Sequence, residues 1–345
     1  MQTHKNRNGR NFGTALFLLA VITFAISFYI YGERWLRSLL LYFSTAGWAR
    51  AIVTQTPFAQ QVAGRFIAGE TIDEAIAVTK QLNQAGMTAT INYLGESVSA
   101  PEETFAARDE ILNLLDAIEE NGVDANVSIK PSQLGLHLDP NLMYENMHAL
   151  LERASTYGNK IRMDMEDSPT LDTTLDIYRR LRYQDEFGNH VGVVIQAYLH
   201  RTEADLTKLA DEGAWIRLCK GAYAEPAEVA FADKADTDAN YVRMMQLLLS
   251  ENARENGVYV GFATHDEQMI TATTSFAEAN QIPSSAYEFQ MLHGVRRDLQ
   301  EQLVANGKQV RVYIPYGTAW YPYFVRRLAE RPANLWFFVS NFVKG

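Results

Sequence analysis

Eight times after residue 87, a near-continuous apolar run of five to eight residues gives way to a longer segment with helical periodicity. The runs are 88–94, 126–130, 160–165, 191–198, 215–220, 259–264, 286–292 and 310–314. Each is rich in β-branched and aromatic residues and reads as a strand buried on both faces, the pattern of a parallel sheet. Helices are predicted to start near Pro101, Pro140, Leu171, Glu203, Ala239, Glu267 and Arg296, and again beyond Pro315 and Gly317, which are read as ending the eighth strand. Eight such repeats in one chain predict a TIM-like (β/α)8 barrel, not an open doubly wound sheet. No G-x-G occurs anywhere, so the dinucleotide fingerprint of a Rossmann fold is absent.

The segments before the barrel divide in two. Residues 34–86 read as N-terminal helices, the last opened by the capping box Thr71-Ile-Asp-Glu74 and closed at Gly86. Residues 1–33 form an extension in which 12–32 carries no charged side chain. As a helix rising ~1.5 Å per residue that segment reaches about 30 Å, enough to span hydrocarbon. It is a candidate transmembrane anchor, with Tyr29 and Tyr31 placed as interfacial aromatics. Lys5, Arg7 and Arg10 before it and Arg34, Arg37 and Arg50 after it leave its orientation nearly tied. The catalytic domain is then 87–345.

Charge and cysteine content exclude several function classes. A formal net charge of −10 argues against nucleic acid as the principal partner. The single cysteine, Cys219, lies in an apolar run, excludes an internal disulfide and reads as a buried, inert thiol. Seven histidines include no H-x-H pair, so a metal-dependent hydrolase site is not expected.

In a barrel, chemistry collects at the carboxyl ends of the strands. This chain places Lys130, Asp164, Gln196, Arg217, Lys220, Thr264, His265, Gln290 and Tyr313 there, and Tyr323, Arg326, Arg327 and Glu330 on the helix after strand eight. Taken singly, each has a bland reading: a helix cap for Asp164 or Asp266, a satisfied histidine for His265 or His293, a solvated helix face for the arginine pair. Taken together, Lys130, Arg217 and Lys220 at one mouth make it electropositive within an acidic protein. The paired guanidiniums offer planar forks suited to a carboxylate. Such a mouth suits an anionic substrate or a phosphate-bearing cofactor; a Schiff-base aldolase using Lys130 or Lys220 fits it, and a non-catalytic ligand-binding barrel is the alternative.

Seven segments, SIKPSQLG (128–135), RMDME (162–166), VIQAY (194–198), RLCKGAY (217–223), FATH (262–265), YEFQMLHG (287–294) and YFVRRLAE (323–330), resemble the proline dehydrogenase family, in order, from about residue 60 to the C-terminus. The resemblance is to the monofunctional form, without the aldehyde dehydrogenase domain of the bifunctional relatives. It implies a distorted (β/α)8 barrel that holds FAD and oxidises L-proline to pyrroline-5-carboxylate, with electrons passed to a membrane quinone. It further implies a membrane-associated enzyme with its active site on the cytoplasmic side and a separate pyrroline-5-carboxylate dehydrogenase. By the same resemblance, Arg326 and Arg327 clamp the substrate carboxylate, steadied by Glu330. Lys130 and Asp164 form an ion pair at the pocket, and Tyr223, Tyr313 and Tyr323 wall it. Gln196, Arg217, Lys220, Gly221, Ala222, Thr264, His265 and Gln290 contact the flavin.

Overall fold

The computed structural model describes residues 42, 63–95 and 98–330, with the side chains of 327–330 outside the description. The candidate anchor at 12–32, most of the helices expected over 34–62, and Glu96 and Ser97 lie outside the described residues. Among the described residues no helix is long and apolar enough to cross a membrane. The chain divides into two compact units, Gly64–Trp320 and Met1–Ala63 together with Tyr321–Gly345.

The first unit is the barrel. Its strands are β1 (Thr88–Tyr93), β2 (Ala125–Ile129), β3 (Ile161–Met163), β4 (Val191–Gln196), β5 (Trp215–Cys219), β6 (Tyr259–Ala263), β7 (Tyr287–Leu292) and β8 (Val310–Tyr316). All pair in parallel in sequence order, and β8 closes on β1. The helices are α1 (Ile72–Gln84), α2 (Pro101–Asn121), α3 (Pro140–Thr156), α4 (Leu171–Arg179), α5 (Thr202–Asp211), α6 (Lys234–Leu248), α7 (Glu251–Glu255), α8 (Glu267–Ala279), α9 (Arg297–Ala305) and α10 (Trp320–Glu330). The capping box is present at the start of α1, with Glu74 Oε2 accepting from Thr71 N at 3.0 Å. Ala75 and Ile76 of that helix share the apolar cluster of the strands, so α1 belongs to the barrel unit.

The strands are not the two-faced apolar runs expected; they alternate. Ile91, Val127, Ile129, Ile161, Met163, Val193, Ile216, Leu218, Phe262, Phe289, Val312 and Ile314 are fully buried in the apolar cluster beneath the helices. Each such side chain contributes roughly 1.5–3 kcal/mol on burial, and this shell holds the fold. The residues between them include Thr90, Asn126, Ser128, Arg162, Arg217, Glu288 and Gln290, also buried. Ser128, Arg217, Gln290 and Tyr313, from four different strands, belong to one hydrogen-bonded set, a meeting possible only inside the barrel. The interior is therefore polar, where such barrels usually hold branched aliphatic layers.

Pro315 does not end β8, which runs on to Tyr316. In a parallel ladder, alternate residues bond to alternate neighbours. Tyr316 O accepts from Leu94 N on the β1 side at 2.7 Å, so Pro315 faces the β7 side. The β7 register stops at Leu292 opposite Tyr313, and Pro315 O accepts from Ala68 N instead. A missing N–H is harmless there.

Candidate active site

Asp164, the residue after β3, organises the carboxyl-terminal mouth. Its Oδ1 accepts from Ser128 Oγ at 2.6 Å and from Arg217 Nη1 at 2.7 Å, and its Oδ2 from Tyr313 OH at 2.8 Å. Arg217 also donates through Nε to Gln290 Oε1 at 2.5 Å, and its Cζ lies 5.1 Å from the Tyr313 ring centre. The Arg217 and Asp164 side chains are only 7% and 16% exposed. Removing one partner of such a pair costs about 3–5 kcal/mol, because the other charge is left buried alone. Among the described residues Arg217 is thus a cation paired with Asp164, a role the resemblance had implied for Lys130. Lys130 instead precedes the 3-10 turn Pro131–Leu134 as its N-terminal cap residue.

The network continues toward the amino end of the strands. Gln290 Nε2 donates to Glu288 Oε1 at 2.5 Å, and Arg311 Nε donates to the same carboxylate at 2.8 Å. Burial opposes the charge on Glu288, yet Arg311 and Arg162 together hold it below the usual carboxylate range. Glu166 goes the other way: burial raises it, although Ser132 N and Oγ both donate to it at 2.7 Å.

Lys220 belongs to a second cluster. Its Nζ donates to Asp238, and to Asp266 at 2.6 Å, while Lys234 also binds Asp238 and Asp266. Burial pushes the Asp266 carboxyl up, but Lys220, the Gln268 N–H and Lys234 outweigh it and hold the group at about 2. Both carboxylates accept from Lys220 Nζ, which ties this lysine into a cluster of its own. Thr264 Oγ1 accepts from Asp266 N at 3.0 Å, and the adjacent His265 Nε2 accepts from Leu292 N at 2.9 Å. Because Nε2 accepts that bond, Nδ1 is the ring nitrogen that carries the proton. Burial pushes the Cys219 thiol up to about 12, consistent with an inert side chain.

Several buried polar atoms at this mouth have no hydrogen-bond partner among the described residues: Arg217 Nη2, Gln196 Oε1, and both amide atoms of Gln133. The other amide atom of Gln196 is spoken for, with Nε2 donating to Glu166 O at 3.1 Å. Leaving such groups unmet costs about 1–3 kcal/mol each. A planar ring edged with alternating donors and acceptors satisfies them, so the residues present fit a flavin. Gly221 fits too: at φ +113° a Cβ would lie 2.2 Å from Tyr198 Cδ1. Ala222 and Tyr223 follow on an exposed loop, with Tyr223 41% exposed. That loop is tied down where Glu225 accepts from Ser168 N and Oγ at 2.7 Å, and where Leu199 bridges Ala230.

Asp164, Arg217, Gln290 and Tyr313 are therefore brought into one network, and Lys220, Thr264 and His265 surround another. Tyr323 and Arg326 lie on α10 in the second unit, Tyr323 buried and Arg326 half-buried; the side chains of Arg327 and Glu330 lie outside the description. Sequence reasoning placed Gln133 and Glu166 at strand ends without giving them a role, and it gave none to Ser128 or Asp238. Ser128 was signalled by its place two residues before Lys130 on an alternating strand. Asp238 was signalled by its helical i,i+4 spacing from Lys234.

With this geometry in place, the comparisons are specific. A model of the family described as proline dehydrogenase matches residues 75–339. Proline dehydrogenase 1 of Bacillus subtilis is 40% identical over 282 residues, which is 82% of this chain and 91% of that protein. The proline dehydrogenase of Deinococcus radiodurans is 43% identical over 288 residues, with coverages of 82% and 91%. Among solved structures, proline utilization A from Bdellovibrio bacteriovorus, inactivated by N-propargylglycine, superposes with a TM-score of 0.75 at 26% identity. That match covers 87% of this chain, which spans 36% of the other's length.

Proposed function

The chain belongs to the proline dehydrogenase family, and from that premise we propose that it oxidises L-proline to pyrroline-5-carboxylate in proline catabolism, using FAD held at the barrel's carboxyl mouth. The observation that carries this reading is the Asp164–Arg217–Tyr313 network, with a buried guanidinium nitrogen of Arg217 left over for a ligand. FAD, when bound, supplies the two-electron oxidant that takes hydride from proline C5. Gln196, Arg217, Lys220, Gly221, Ala222, Thr264, His265 and Gln290 hold it, with Arg217 and Gln196 meeting its polar edge.

The protein's remaining work is to place and condition the substrate. Hydride loss from C5 needs the neutral amine with its lone pair free. A buried guanidinium at Arg217 disfavours the protonated amine. Asp164, fixed by three donors, keeps that guanidinium from reorienting, and Tyr313 completes one wall of the pocket. Lys130, Tyr223 and Tyr323 complete the enclosure. Arg326 and Arg327 grip the carboxylate, with Glu330 steadying them; only Gly317, Thr318 and Ala319 separate the end of β8 from the start of their helix. Electrons leave to a membrane quinone, residues 12–32 anchor the enzyme beside that acceptor with the barrel on the cytoplasmic side, and a separate dehydrogenase consumes the product.

The clamp is tested by Arg326→Ala. Each charge-assisted hydrogen bond contributes roughly 1.5–3 kcal/mol, so KM for proline should rise about 10- to 100-fold with flavin content unchanged. Loss of flavin with an unchanged KM contradicts the assignment.

A further inference from the structure

A cavity of about 400 Å³ opens at the opposite, amino-terminal end of the barrel. Small-molecule sites run from roughly 300 to 1,000 Å³, and this one plays no part in the oxidation derived above. Strand starts line it: Asn126 of β2, Lys160 just before β3, Trp215 of β5, Tyr259 of β6 and Arg311 of β8.

The charges here do not balance. Lys160 is half-buried, and among the described residues its ammonium has no hydrogen-bond or ion-pair partner; it lies 5.3 Å from the centre of the Trp215 ring. Arg162 is fully buried, its Cζ is 3.7 Å from the same ring centre, and none of its three guanidinium nitrogens has a hydrogen-bond partner. Arg311 is the third cation and already binds Glu288; Asp164, the other carboxylate that acts on Arg162, is held by Arg217. Asp124 and Glu119 also line the cavity, but both are exposed and solvated, so their charge is screened. A buried unpaired cation is costly unless an anion or a set of acceptors meets it. Donors converge for that purpose. Asn126 Oδ1 accepts from Thr90 Oγ1 at 2.6 Å, which leaves its amide N–H groups as the ones to offer.

We propose that this amino-terminal cavity binds a small oxyanion, a carboxylate or a phosphate-like group, on Lys160 beside the Trp215 ring, with the buried Arg162 guanidinium over the same ring adding attraction. The site is separate from the substrate clamp and does not depend on the oxidation reading.

The experiment is titration calorimetry of the full-length holoenzyme with sodium sulfate and with sodium acetate, at ionic strength fixed with sodium chloride. The same titrations are run on Lys160→Met, Lys160→Arg and Arg326→Ala. Saturable binding is expected, weakened at least about tenfold in Lys160→Met. It should be retained in Lys160→Arg and in Arg326→Ala. Preference for sulfate identifies a phosphate-like ligand, and preference for acetate a carboxylate. A crystal soaked in sodium bromide should show an anomalous peak at Lys160 Nζ in the native enzyme that is lost in Lys160→Met. Binding unchanged in Lys160→Met, binding lost in Arg326→Ala, or no bromide in the cavity overturns the proposal.

Discussion

His293 shows how far the barrel's environment reaches into single side chains. It is 8% exposed, and burial, aided by Arg297, pushes its imidazole down to about 4 from an ordinary 6.5. Unfolding restores the ordinary value, so between these two pH values the unfolded chain binds more protons. Stability is therefore full above about pH 6.5 and falls as pH drops toward 4, by roughly 3 kcal/mol from this one group. Denaturant unfolding measured from pH 7 to pH 4 should show a clearly shallower acid limb in His293→Gln than in the native chain. Equal slopes would mean that other groups carry the acid sensitivity. His265, by contrast, accepts a backbone hydrogen bond at its Nε2. The sequence placed both histidines at strand ends but could not distinguish these two settings, because the distinguishing partner, Leu292 N–H, is a backbone group 27 residues away.

At the scale of elements, strands and their carboxyl ends were legible because parallel pairing buries one face of every strand under helices, and that demand is written in Ile91, Val127, Ile216 and Phe262. The inward face was not recognised from the same stretches, although Thr90, Asn126, Ser128 and Arg162 alternate with the apolar residues. Each run was read as apolar and buried on both faces, which hid the alternation. The pairing of Asp164 with Arg217 was also out of reach, since residues on β3 and β5 meet only once the barrel closes. The loop after β5 was recognised by its residues, and its geometry explains one of them. Gly221→Ala puts a Cβ onto the Tyr198 ring in a backbone conformation that alanine avoids. Because the loop lies at the mouth and not in the apolar shell, the far-ultraviolet dichroism should be unchanged while flavin retained through gel filtration drops about tenfold. Full retention of flavin would remove Gly221 from the cofactor cradle.

For the whole molecule, eight repeats and seven family segments made fold and chemistry readable together, while the arrangement of the terminal segments was not. The chain's N-terminal apolar stretch is tested by its removal. A protein lacking residues 1–33 should keep its kcat/KM for proline with a soluble electron acceptor and should move from the membrane pellet to the supernatant. Continued sedimentation with membranes would assign the attachment to another surface. The central claim is that this polar-centred barrel is a flavin-dependent dehydrogenase that oxidises proline's C5–N bond. The most direct measurement is an anaerobic visible spectrum of the purified full-length protein, before and after L-proline. A flavin spectrum that bleaches stoichiometrically with L-proline, and recovers on adding a quinone analogue, is the predicted result. A protein that cannot be loaded with FAD, or a flavin spectrum that L-proline leaves unchanged, would contradict the account.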